Sequence, residues 1–263
     1  PGDDGVVEAY CLHRRAATAG EEKRSDDELR FMQRAMLAMD HAPHAPAEMR
    51  AQMLADLGSA LWDNGRQLQG QGYFQRAFAL LQELGRIDSP ANNSARHNFG
   101  IGLMRAGLPR DALTQFEGVM ASAERHAPGA RIALEMLSAR ADALLLLATN
   151  QAALEAFERL TEAARAQRND AFLARGLTGQ AQVLLALDRI PLADARHAEA
   201  QRLFESSQRA GQRPWPVVAL VALAEGHHAR GQVQQADQLC HTIVKSFAPG
   251  ATVLPGLVQA RVL

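Results

Sequence analysis

The stretch Leu54-Ala55-Asp56-Leu57-Gly58-Ser59-Ala60-Leu61-Trp62-Asp63-Asn64-Gly65-Arg66-Gln67-Leu68-Gln69-Gly70-Gln71-Gly72-Tyr73-Phe74-Gln75-Arg76-Ala77 decides the fold. Leu54, Leu57 and Leu61 recur at three- and four-residue steps, as do Gly70, Phe74 and Ala77. That is the period of one helix face, and it occurs in two blocks. Between the blocks, Asp63-Asn64-Gly65 is a breaker with Gly available for a left-handed turn. The pattern predicts two helices folded back on each other. Gly58 and Gly70 let their backbones approach, and Phe74 fills the space beside them.

The same register extends over the whole chain. Ala35, Ala77, Val119, Leu160, Ala200 and Ile243 are separated by 42, 42, 41, 40 and 43 residues. Nineteen residues before each lies Ala16, Gly58, Gly100, Ala141, Ala181 or Ala224, always Gly or Ala. Seven before each lies Glu28, Gly70, Ala112, Ala153, Ala193 or Ala236, small in all but the first. Three before each lies Met32, Phe74, Phe116, Phe157, His197 or Cys240, and sixteen before each lies Ala19, Leu61, Leu103, Leu144, Leu184 or His227. Four columns in one register are the signature of a repeat array.

Breakers punctuate the units internally at Gly65, Gly107-Leu108-Pro109, Thr149-Asn150, Ile190-Pro191 and Gly231. They also fall between units at Pro43/Pro46, Ser89-Pro90, Pro128-Gly129, Asn169-Asp170, Pro214/Pro216 and Pro249-Gly250. The reading is one repeat domain over 1–263 with units at about 9–50, 51–92, 93–133, 134–173, 174–216 and 217–254, and 255–263 opening a further helix. Composition agrees. Aromatics are only 5% against 47% hydrophobic residues, so the interior must be packed with small side chains at short range, which suits helices. Ser25 or Asp26 is expected to cap the second helix.

These columns resemble the tetratricopeptide repeat (TPR). Leu54, Leu57, Gly58, Leu61, Gly65, Gly70, Phe74 and Ala77 match its motif at its own spacing. Phe99, Gly100, Leu103, Gly107, Ala112 and Phe116 do so again, and Leu137, Ala141, Leu144, Ala153 and Phe157 a third time. Departures are Arg96 for a usual Leu, Ala148 for the turn Gly, His197 and Cys240 for the aromatic, His227 for a Leu or Tyr, and Glu28 for a small residue. The period resembles the long-repeat subgroup found in kinesin light chains and bacterial signalling proteins. The resemblance implies an all-α, right-handed superhelical solenoid of about six TPR-like hairpins. It also implies a groove lined by the first helix of each hairpin.

Carried onto this chain, the groove positions include Trp62, His97, Asn98, Arg105, Asp142, Arg175, Gln182, Glu225 and His228. They also include Gln52, Ser59, Asp63, Ser94, Met104, Glu135, Ser138 and Thr178. Asn98 stands where the subgroup often meets a ligand main chain, and an amide both donates and accepts. A partner is expected along the third to fifth hairpins. The Lys/Asn clamp of chaperone-tail binders is missing, since Lys23 and Lys245 are the only lysines.

Other chemistry finds little support. Gly70-Gln71-Gly72 and Gly100-Ile101-Gly102 lack a third Gly and a preceding strand, so they read as packing glycines. His227, His228, Cys240 and His241 cluster in the last unit, but Glu225 and His228 form a single i,i+3 pair where a bundle metal site needs two. Cys11 and Cys240 lie five hairpins apart and do not pair. No nucleophile, carboxylate pair or cofactor site is recognisable, so no enzyme, metal or cofactor is expected.

A formal net charge of −1 disfavours nucleic acid and membrane surfaces. The apolar runs 141–148 and 216–224 are too short to cross a bilayer. Two cysteines fit the cytoplasm. The chain begins Pro1-Gly2-Asp3-Asp4 and reads as a fragment of something larger. The expectation is a protein- or peptide-binding scaffold in a larger bacterial signalling or transcription-regulatory protein. The alternatives are a small-molecule sensor and a structural arm dimerising through its end repeats.

Overall fold

A computed structural model of the chain describes residues 4–22, 24–209 and 217–246. Among them are twelve α-helices, one 3-10 turn at Pro90–Asn92 and no strand. The breakers at Pro214/Pro216 and Pro249-Gly250, the further helix read over 255–263, the amino-terminal tripeptide and Lys23 lie outside the described residues.

The chain forms two compact units, 1–130 and 131–263. The first contains α1 (Asp4–Glu21), α2 (Ser25–Asp40), α3 (Ala47–Asp63), α4 (Gln67–Glu83), α5 (Asn93–Arg105) and α6 (Pro109–His126). Each odd helix packs against the even helix that follows it, giving three hairpins, and α3 also packs on α5. The second unit contains α7 (Leu134–Leu146), α8 (Asn150–Ala166), α9 (Asp170–Ala186), α10 (Ile190–Arg209), α11 (Val217–Ala229) and α12 (Val233–Ser246). Here α7·α8, α9·α10 and α11·α12 are the hairpins, and α9 packs on both α7 and α11. First helices thus adjoin one another within each unit, α3 with α5 in the first and α7, α9 and α11 in the second.

The repeat columns have a direct physical meaning. Phe74, Phe116 and Phe157 are completely buried. The small residues opposite are required by contact. A Cβ on Gly58 would lie 2.8 Å from the Phe74 ring, and one on Gly70 would lie 2.6 Å from the Gly58 carbonyl oxygen. The column Ala19, Leu61, Leu103, Leu144, Leu184 and His227 closes the hairpins. The carbonyl of each accepts the backbone N–H of the residue five positions on, from Arg24 to Ala19 at 2.8 Å through to Gln232 to His227 at 2.9 Å. This is the six-residue bond of a Schellman ending, which satisfies carbonyls a helix end would otherwise orphan. Its left-handed residue is Gly65 (φ 73°) or Gly107 (φ 75°), but Ala148 (φ 54°) and Asp188 (φ 57°) adopt the same conformation without being glycine.

Two expectations need amendment. Arg24, not Ser25 or Asp26, occupies the cap of α2, and no side chain caps that helix. Its guanidinium instead bridges Glu22 and Asp27, each at 2.5 Å. The departures from the repeat pattern are also compensated. The Glu28 carboxyl lies about 3 Å from where Gly20 would carry a Cβ, so a glycine on α1 makes room for the large residue on α2. His197 and His227 pack on each other edge-to-face with ring centroids 4.6 Å apart. His197 in turn occupies the space a Cβ on Gly226 would take.

Candidate functional site

In the first unit, α3 and α5 lie side by side and present their polar positions together. Gln52, Asp56, Ser59 and Asp63 follow one another at three- and four-residue steps on α3, so they share a face. Ser59, Trp62 and Asp63 meet Asn98, Ile101, Gly102 and Arg105 of α5 around an open cavity of about 130 Å³.

Trp62 is buried, with 7% of its surface exposed. Its indole N–H donates to the Gln67 carbonyl at 2.7 Å, and its ring packs 4.9 Å from Phe74 and 6.0 Å from Phe99. It fits because Gly102 has no side chain: a Cβ there would fall inside the indole. Trp62 therefore forms the cavity wall. Arg105 donates to Asp63 at 2.7 Å and closes one side. Asn98 is exposed on the rim, and its side chain has no hydrogen-bond partner among the described residues. His97 turns from the cavity toward Phe116, 5.7 Å between centroids.

Carboxylates dominate the rest of this face. Asp56 accepts from Gln52 at 3.0 Å and lies 2.8 Å from the His13 ring nitrogen. Burial, reinforced by Asp63 and then Asp56, pushes the Glu28 carboxyl up to about 7.

In the second unit the candidates are arranged in pairs. Arg175 is 3% exposed, donates to Asp142, and lies with its guanidinium carbon 4.9 Å above the Phe157 ring. It joins α9 to α7 and α8. Gln182 donates to Glu225, joining α9 to α11. His228 is exposed. Arg175, placed in the groove by the resemblance, is thus committed to internal packing. Ile101 and Gly102 were not among the expected groove residues. The signal available was a tryptophan in one hairpin and a glycine in the next.

The terminal cluster does not converge. The His227 Nε2 and Nδ1 face the side-chain oxygens of Gln201 and Gln232 at 3.0 and 2.6 Å, while His241 is exposed beside Asp237. Among the described residues no three His, Cys, Asp or Glu side chains are placed to hold a metal ion. The described cysteines are free thiols. Burial, then Arg230 and His227, lowers His197 to about 4. No described helix is long and apolar enough to cross a membrane.

No protein-family model and no curated protein matches the chain. Solved structures do. A Podospora anserina protein of the kinesin light chain type, built of nearly identical TPR-like repeats, superposes with TM-score 0.63 at 15% identity, covering 76% of this chain and 96% of that one. RapI without ligand gives TM-score 0.67 at 11% identity, covering 92% and 84%. NprR, solved with its cognate peptide NprX, gives TM-score 0.66 at 10% identity, covering 99% and 71%. At these identities the likeness shows the fold: a TPR-type helical repeat.

Proposed function

We propose that the chain is a scaffold that binds a protein segment or peptide along its first-helix face, within a larger bacterial signalling or transcription-regulatory protein of the cytoplasm. The observation that carries this reading is the cavity between α3 and α5, with the Asn98 amide open on its rim beside the Asp63–Arg105 pair. A peptide backbone offers one donor and one acceptor per residue, and an amide side chain answers both. Asp63, Ser59 and Gln52 continue the polar row, so an extended segment laid along α3 meets acceptors and donors in succession.

Size favours this reading over a small-molecule sensor. About 130 Å³ is below the roughly 300–1,000 Å³ of ordinary ligand pockets, whereas a peptide needs only to insert a side chain there. NprR's peptide complex supports a peptide reading through likeness of fold. The proposal places the site on the second and third hairpins rather than the third to fifth, because Arg175 is buried against Phe157. It involves no catalytic step, metal or cofactor.

Panning a displayed random-peptide library against the full chain tests the reading. Selected peptides should bind saturably and lose about 5- to 150-fold in affinity on Asn98→Ala, the equivalent of about 1–3 kcal/mol for a lost buried hydrogen bond. Arg159→Ala, on the exposed face of α8, should leave affinity unchanged. Equal affinity for both variants would refute the site.

A further inference from the structure

The second-helix side of the first unit carries a larger depression that the function above does not use. Its floor is Leu57 and Leu61 of α3, each only 2% exposed. Gln33 of α2 forms one side, and the first three turns of α4 form the other. The space is about 480 Å³. Leu68 stands on its rim 86% exposed, and Tyr73 lies half-buried along it. An apolar floor beneath so exposed a leucine is a surface suited to receiving another apolar side chain.

The two charged residues that line it are of one sign. Arg66 and Arg76 both line the depression and are exposed. Neither forms an ion pair or side-chain hydrogen bond among the described residues. Arg76 lies over the Tyr73 ring at 5.3 Å. Four other guanidinium groups of the unit are engaged: Arg50 with Asp40 at 2.6 Å, Arg86 with Glu48 at 3.1 Å, Arg96 with Asp88 at 3.1 Å and Arg105 with Asp63 at 2.7 Å. Arg66 also occupies the cap of α4, where no side chain satisfies the first amides, so the positive end of that helix dipole adds to its charge.

Spacing selects the occupant. Arg66 and Arg76 are ten positions apart along α4, or roughly 15 Å at the helical rise. A compact metabolite does not reach both, but about four to five residues of extended chain do. We infer that this depression is a docking site for an acidic peptide segment of a partner protein, one that sets an apolar side chain on Leu57 and Leu61 and places carboxylates against Arg66 and Arg76. The site lies on the α2–α4 side and does not depend on the Asn98 cavity between α3 and α5.

Gly72 supplies a clean test. It lies within α4 on the wall of the depression, and a Cβ added there meets nothing within 4 Å. Gly72→Leu therefore fills the depression while improving helix propensity. The probe is a fluorescein-labelled peptide, Asp-Glu-Asp-Leu-Phe-Asp-Glu-Asp amide, titrated by anisotropy against the full chain at low salt. It should bind saturably, and more weakly as salt rises. The Arg66→Glu/Arg76→Glu double variant should lose about tenfold or more, because charge-assisted contacts become repulsive. Gly72→Leu should lose a similar factor with an unchanged circular dichroism spectrum. Asn98→Ala should bind as the wild type does, and the same peptide with every acid replaced by Lys should not bind. Absence of saturable binding, equal binding by the Arg variants, or loss on Asn98→Ala instead would overturn the inference.

Discussion

Gly70 and Gly72 lie two residues apart on α4, and the same substitution at each should move stability in opposite directions. In an exposed helix, Gly→Ala is worth about 0.5–1 kcal/mol of stabilisation. Gly72→Ala should realise that gain, since its new methyl meets nothing within 4 Å. At Gly70 the methyl would stand 2.6 Å from the Gly58 carbonyl oxygen and 3.0 Å from Trp62, against the 3.4 Å of ordinary contact. A backbone oxygen in mid-helix cannot swing aside, so α3 and α4 must part by several tenths of an ångström. Overpacking of this kind costs about 1–3 kcal/mol, and here the upper end applies. Net of propensity, Gly70→Ala should lose about 2 kcal/mol, leaving the two variants roughly 3 kcal/mol apart. At about 3 °C per kcal/mol for a unit of this size, their melts should differ by roughly 9 °C. Thermal unfolding followed by far-ultraviolet circular dichroism reads this directly. A Gly70→Ala melt at or above that of Gly72→Ala would refute the close approach on which the hairpin rests.

Ala148→Gly should stabilise the second unit by about 1 kcal/mol, because Ala148 holds φ at 54° where glycine rests without penalty; a melt lower than wild type would contradict this. Glu28 has its folded pKa raised from 4.5 to about 7, so its protonated form favours the fold and stability declines as pH rises through that window. Glu28→Gln should therefore match wild type near pH 4.5 and exceed it at pH 8 by about 1 kcal/mol, discounted for the solvent around a half-buried group; a constant difference would disprove the shift. His197 is lowered from 6.5 to about 4, so its neutral form favours the fold. Its contribution is complete above pH 6.5 and is lost as pH falls toward 4. The His197→Phe/His227→Leu variant, returning both positions to the residue types of the other hairpins, should lose less stability than wild type between pH 7 and 5. Equal losses would place the acid sensitivity elsewhere.

The columns were legible because they report short-range geometry repeated six times. Gly58 opposite Gly70, the buried Phe74, Phe116 and Phe157, and the turn after Leu61 all follow from periodicity along the chain. What stayed hidden were exchanges between columns. Glu28 looks like a defect until Gly20 is seen facing it, and His197 and His227 look like two defects until they are found in contact. The residues on the groove list differ widely in exposure. Trp62 sinks into the space Gly102 leaves, and Arg175 is held beneath the face by Asp142 and Phe157, because side-chain length and a local partner decide exposure as much as register does. The depression beside Leu68 escaped notice because Leu68, Gly72 and Arg76 fall outside the repeat columns.

The central claim is that a peptide lies on the first-helix face against α5. Ile101, half-buried on the cavity wall between Asn98 and Arg105, is the position from which to test it. Ile101→p-benzoylphenylalanine and Arg159→p-benzoylphenylalanine chains should each be irradiated with a peptide selected on the wild-type protein, and the covalent adducts measured by mass spectrometry. The account predicts an adduct from position 101 and none from position 159. An adduct from 159 with none from 101 would contradict it.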